Sequence, residues 1–181
     1  MAGLSSIKDR LFQRQLRQRR AGTAAELRDG RAVHPAMARD LLILFPADSA
    51  EARRQLDRWR DANRRSDLRI RVLGYFDQEV GSTNFDFEVI TVKDLNWYGA
   101  PRGAAVDKFR EGSVDLLYRL GPPEHRVLDF LAATRGARLK VGPYSPAPHH
   151  PYHLQYDAAL ATRVPDQLAG IASLFKFTNA S

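Results

Sequence analysis

Three of the chain's five histidines fall within five residues, in His149-His150-Pro151-Tyr152-His153, with Asp157 just beyond. Imidazoles beside a carboxylate are natural metal ligands. Adjacent histidines point different ways, however, and Pro143, Pro146, Pro148 and Pro151 mark the region as an irregular loop. No helix carries the spaced histidine pair of a zinc site, so no metal is expected. A second candidate is the acidic stretch Asp77, Glu79, Asp86, Glu88 and Asp94, since paired carboxylates can do acid–base work. Solvent-facing strand ends explain it more simply. Ser113, Ser145 and Ser173 lack the G-x-S-x-G setting of an activated serine. Zero Cys removes thiolate nucleophiles, thiolate metal sites and disulfides. No catalytic residue is expected, and the sequence leans away from an enzyme.

Nucleotide chemistry needs glycines where the backbone must approach a pyrophosphate. The first apolar run leads instead into Phe45-Pro46-Ala47-Asp48-Ser49-Ala50-Glu51, which has no glycine and two repelling carboxylates. No P-loop pattern is present, and no cofactor is expected. The least ordinary local feature is the loop Asn96-Trp97-Tyr98-Gly99-Ala100-Pro101-Arg102-Gly103. Trp97 and Tyr98 offer stacking faces for a base or sugar, and Arg102 a phosphate contact. The plainer reading is that Trp97 plugs the end of the core.

Charge is the strongest functional signal. Residues 1–39 hold nine Lys/Arg against three acids, +6 of the chain's net +7, and the remaining 142 residues hold the other +1. Arg outnumbers Lys 23 to 5 in the whole chain, and guanidinium groups pair bidentately with phosphate. Localised basicity points to nucleic acid or an anionic membrane surface as partner. Its carriers are Arg10, Arg14, Arg17, Arg19 and Arg20, with Arg28 and Arg31 extending the patch.

Several elements must position these groups. Leu4, Ile7, Leu11, Phe12 and Leu16 fall at helical spacing, which predicts an amphipathic helix over 4–20 that ends at Ala21-Gly22-Thr23. Residues 22–39 read as a linker, with a short helix over Thr23–Arg28. Leu41–Phe45 is wholly apolar, as a buried central strand is, and Asp48-Ser49-Ala50-Glu51 resembles a capping box opening a helix over 49–64. Further strands are expected at Leu68–Tyr75, Phe87–Val92, Val114–Leu120 and Ala137–Val141, with His153–Tyr156 offering a sixth. Helices are expected at Ala104–Arg110, over 124–135, and from Pro165 to Phe175. Strand–helix alternation implies a mostly parallel sheet covered on both faces. The fold class is therefore α/β: a single Rossmann-like sandwich of five or six strands over 40–181, preceded by a basic helix and linker over 1–39.

The helix Ile7–Arg20, the segment Asp94-Leu95-Asn96-Trp97-Tyr98-Gly99, the strand Val114-Asp115-Leu116-Leu117 and the run Arg138-Leu139-Lys140-Val141-Gly142 together resemble a family of small, uncharacterised bacterial α/β proteins. That family is a domain of unknown function and implies no activity. Asp115–Gly142 is also similar to the acceptor-side half of heptosyltransferase-type glycosyltransferases. Those enzymes hold the nucleotide-sugar in a second Rossmann-like half, for which 181 residues leave no room.

The expected function is a non-enzymatic module that docks on RNA or a ribonucleoprotein, such as the ribosome, through the basic helix. One alternative is a glycosyltransferase-like or nucleotide/sugar-binding domain using the Trp97–Gly103 and His149–His153 loops. Another is a peripheral protein whose helix lies on an anionic membrane. The same helix could also simply dock on its own domain. The narrow apolar stripe and the glutamines Gln13, Gln15 and Gln18 favour nucleic acid over lipid. Lys8-Asp9-Arg10 directly after Ile7 leaves no apolar stretch for a secretory signal. An Arg-rich, acid-poor start is shared with transit peptides, but the reading favoured is a cytoplasmic protein that keeps its arm.

Overall fold

The structure, a computed structural model, describes residues 2–24, 34–81, 84–146 and 150–176. Among these residues six strands form one sheet: β1 (Asp40–Pro46), β2 (Arg69–Phe76), β3 (Glu88–Thr91), β4 (Ser113–Arg119), β5 (Gly136–Pro143) and β6 (Leu154–Tyr156). Every pairing is parallel, in the order β3-β2-β1-β4-β5-β6. The most apolar run takes the centre, because β1 is covered on both faces. Leu41, Ile43 and Phe45 point one way with Leu116 and Tyr118; Leu42 and Leu44 point the other way with Leu117 and Tyr75. The edge strands β3 and β6 are short, which limits unpaired backbone at the borders.

Four helices complete the sandwich. Leu56 of α2 (Ala50–Ala62) and Leu168, Ile171 and Phe175 of α5 (Val164–Lys176) cover the first face. Val106 and Phe109 of α3 (Ala104–Arg110), with Val127, Leu128 and Leu131 of α4 (Arg126–Thr134), cover the second. The N-terminal helix α1 (Ala2–Ala24) lies outside α4 as an added layer.

Boundaries differ from the sequence reading in ways that have local causes. The backbone of α1 runs through Gly22 to Ala24, so Thr23 and Ala24 belong to it; the rest of the short helix expected to follow lies outside the described residues. Ser49 caps α2, but its partner is the Ala52 N–H at 3.2 Å, and Glu51 turns away to Arg54 and Gln55, so no capping box forms there. That device occurs instead at Thr91–Asp94, where the Asp94 carboxylate accepts from the Thr91 N–H at 2.8 Å. α4 starts only at Arg126, because Pro122 and Pro123 stay irregular and the His125 imidazole provides the cap.

Candidate functional site

Helix α1 is positioned by its apolar stripe. Phe12 is 4% exposed, its ring 5.4 Å from that of Phe130 on α4, and Ala100, Leu16 and Tyr98 close the cluster. The Arg126 guanidinium lies 4.0 Å over the Phe12 ring and pairs with Asp9. Gln15 ties the other flank, accepting from Asn96 Nδ2 at 3.2 Å and from the Tyr98 hydroxyl. Steps of about 100° per residue put Arg10, Arg14 and Arg17 about 140–200° round the helix from Phe12. All three are exposed. Arg19 and Arg20 are half-buried and turned back on the domain: Arg19 pairs with Asp107 of α3 at 3.3 Å, and Arg20 donates to the His150 carbonyl at 3.1 Å. Arg28 and Arg31 lie outside the described residues. The structure thus splits the basic patch into an outward row of three and a docked pair.

The loop after β3 is built around an Asx turn. Asn96 Oδ1 accepts from the N–H groups of Tyr98 and Ala100, and Gly99 takes φ +83°, which a side chain would resist. Tyr98 is the half-buried contact for α1 described above. Trp97 does not plug the core: it is 61% exposed, its ring edge-on to Tyr98 at 5.4 Å. Arg102 is exposed, its N–H bonded to the Asp94 carbonyl. The second loop lies across α1 from the first, beside Gln13 and Arg20 rather than Gln15. His150 Nδ1 accepts from the Tyr152 N–H and His153 Nδ1 from the Lys140 N–H. His149 lies outside the described residues. Among the described residues no group of three His, Cys, Asp or Glu side chains could hold a metal ion.

The acidic stretch is largely paired. Asp86 meets Arg60, Glu79 meets Lys93 at 2.8 Å, and Asp94 serves the cap at Thr91. Asp77 accepts from the Tyr75 hydroxyl at 3.3 Å and gives its N–H to Asp48. Burial, then the neighbouring Asp77 charge, pushes the Tyr75 hydroxyl up to about 12.

The sequence reading missed the polar groups inside the sheet. Arg119, at the carboxyl end of β4, is wholly buried; it pairs with Asp129 at 3.0 Å and donates to the Pro122 carbonyl. Asp129 also accepts from the Tyr152 hydroxyl and the His125 N–H. Burial, then the Arg119 charge, holds the His125 imidazole below its usual range. Buried Gln167 of α5 clamps Gly121, accepting from its N–H at 2.9 Å and donating to its carbonyl at 3.3 Å. Arg119 directly after the apolar run Leu116-Leu117-Tyr118, and Lys140 between Leu139 and Val141, were the available signals.

Between the carboxyl ends of β1 and β4 the chain direction of the connections reverses, and a cleft of about 620 Å³ opens there. Pro46, Asp48, Ser49, Gly121, Arg163 and Gln167 are among its lining. This is where doubly wound sheets take ligands. The sheet order and the helices on both faces define a Rossmann-like α/β protein.

The chain belongs to the family of unknown function DUF6913, which matches residues 8–162. No curated protein and no solved structure matches the chain. No helix among the described residues is long and apolar enough to cross a membrane.

Proposed function

We propose that the protein is a non-enzymatic module that docks on RNA or a ribonucleoprotein in the cytoplasm through α1. One observation carries the reading: α1 uses its apolar side to hold the domain and turns Arg10, Arg14 and Arg17 to solvent on the opposite side. A rigid cationic row suits a polyphosphate, whose binding gains from counterion release. A helix lying in lipid would need Phe12 for the bilayer, and Phe12 is held against Phe130. The decisive assay is filter binding of the full chain to single-stranded RNA and to ribosomes at two salt concentrations. Reversing Arg10, Arg14 and Arg17 to Glu should abolish binding. Equal binding by wild type and triple variant overturns the proposal, as does wild-type flotation on anionic vesicles without RNA affinity.

A second reading, a glycosyltransferase-like or nucleotide/sugar-binding domain, draws its support from the cleft between β1 and β4. A ligand at a hundredfold over its Kd should stabilise the fold by about 2.7 kcal/mol. A thermal-shift panel of nucleotides and nucleotide-sugars tests it, and silence across the panel removes it.

A further inference from the structure

Trp97 keeps 61% of its surface in solvent, yet the loop that carries it is fixed. Asn96 Oδ1 accepts from the N–H groups of Tyr98 and Ala100, Leu95 and Pro101 bridge across the base of the loop, and the Arg102 N–H donates to the Asp94 carbonyl at 2.8 Å. The residues on either side of Trp97 are tied to α1, since Asn96 Nδ2 and the Tyr98 hydroxyl both donate to Gln15 Oε1. The Trp97 ring meets Tyr98 edge-on, a contact that leaves an indole face open. An aromatic side chain on a loop already ordered gives up little conformational freedom when a ligand covers it.

The surroundings are cationic. Gln15 lies about 60° round α1 from Phe12, and Arg14 about 100° further in the same direction. The loop therefore sits on the flank that leads from the docked side of α1 to its outward arginine row. Lys8 lines a shallow surface pocket with Tyr98 and Arg126, and Arg102 follows the loop directly; Lys8, Arg14 and Arg102 are exposed. Two carboxylates of this flank are engaged, Asp9 with Arg126 and Asp94 with the Thr91 N–H. Cations beside an open aromatic face suit a strand that carries phosphates and unstacked bases together. A duplex keeps its base faces within its own stack and offers none to an indole.

We propose that Trp97 is a stacking platform for an unpaired base of single-stranded RNA whose phosphates lie along Arg14 and the outward row of α1. This subsite rests on the reading of α1 as the RNA-binding element, and it adds the form of RNA that the protein selects, single-stranded rather than duplex.

The chain has two tryptophans, so the full-length Trp59→Phe variant reports Trp97 alone. Titration with single-stranded decauridylate at low salt should quench its fluorescence saturably. Inorganic polyphosphate, which has the charge without the bases, should compete for α1 and cause no quenching. With Trp59 restored, Trp97→Ala should weaken decauridylate by about tenfold, within the range for one base–aromatic stack, and Trp97→Phe should recover most of the loss. Affinity for polyphosphate and for a blunt RNA duplex should be the same in all three proteins. Unquenched Trp97 emission at saturating decauridylate overturns the proposal, as does equal decauridylate affinity in Trp97→Ala and wild type. So does an equal loss of polyphosphate binding in Trp97→Ala. A wild-type chain that binds ribosomes through Arg10, Arg14 and Arg17 but ignores decauridylate also overturns it, with Trp97 then facing a protein component and the ribonucleoprotein reading intact. Failure of the wild type to bind RNA, polyphosphate or ribosomes removes the reading of α1 and this subsite with it.

Discussion

Lys140 is the residue whose environment is most at odds with its chemistry. Its ammonium is buried at the carboxyl end of α4, 3.5 Å from the Ala133 carbonyl, and burial, then the charge of Arg20, lowers its pKa to about 8. The unfolded chain holds this proton up to about pH 10.4. Between pH 8 and that value the unfolded state binds more protons, so stability rises with pH through this window. Below pH 8 the penalty is fully present. Lys140→Met should therefore raise the Tm at pH 7, by on the order of 3 kcal/mol in stability, with the advantage shrinking by pH 9.5. Thermal melts of both proteins at the two pH values check the sign. Gly121 is constrained in another way. It sits at φ +114°, and an added Cβ would lie 2.8 Å from Pro46 Cδ. Gly121→Ala should cost roughly 1–3 kcal/mol in urea unfolding, since both strain and the Gln167 clamp are affected. A neutral result would mean that the β4–α4 loop shifts freely.

At the level of elements, α1 holds to the domain through one ring more than through its charges. Phe12 is its one fully buried side chain among those described, whereas the Arg126–Asp9 and Arg19–Asp107 pairs lie at the surface, each with a solvent-exposed carboxylate, and are of the kind that contributes little. Phe12→Ala should lower stability by about 3 kcal/mol, the low end for a core phenylalanine, because the helix can lift away. Trypsin should then cut at Arg10, Arg14 and Arg17 much faster than in wild type, with the sheet left intact. Unchanged cleavage would show that the polar contacts suffice to hold the helix. The same helix answers why Arg19 and Arg20 differ from their neighbours: they fall on the docked side of the turn, and the outward row does not include them.

For the whole molecule, the outward row predicts how binding responds to salt. Each phosphate neutralised on a single strand contributes about 0.7 to the slope of log K against log salt. Removing Arg10, Arg14 and Arg17 should flatten that slope by about 2, whereas Arg19→Ala with Arg20→Ala should change it less and instead loosen α1. RNA titrations at four salt concentrations with each variant measure both effects. Equal slopes for the two variants would mean that the docked pair leaves the domain to bind.

The sheet was legible in the chain because hydrophobic patterning is local. Leu41–Phe45 could be buried only on both faces, so it had to be central, and a mostly parallel sheet of five or six strands with covering helices follows from the alternation of runs; the structure makes it six, every pairing parallel. The basic helix was legible for the same reason, since stripe and charge repeat at 3.6 residues. What each arginine faces was not. Arg14 and Arg19 look alike in sequence, and only the docking of Phe12 on Phe130 turns one to solvent and the other to Asp107. Trp97 likewise reads as a core residue by type, and its exposure depends on Tyr98 having taken the contact with α1. Arg119 and Gln167 depend on partners 10 and 46 residues away along the chain. Hydrophobic period determines which elements form; only the tertiary packing decides which polar atoms those elements leave facing one another, facing solvent or facing a cavity.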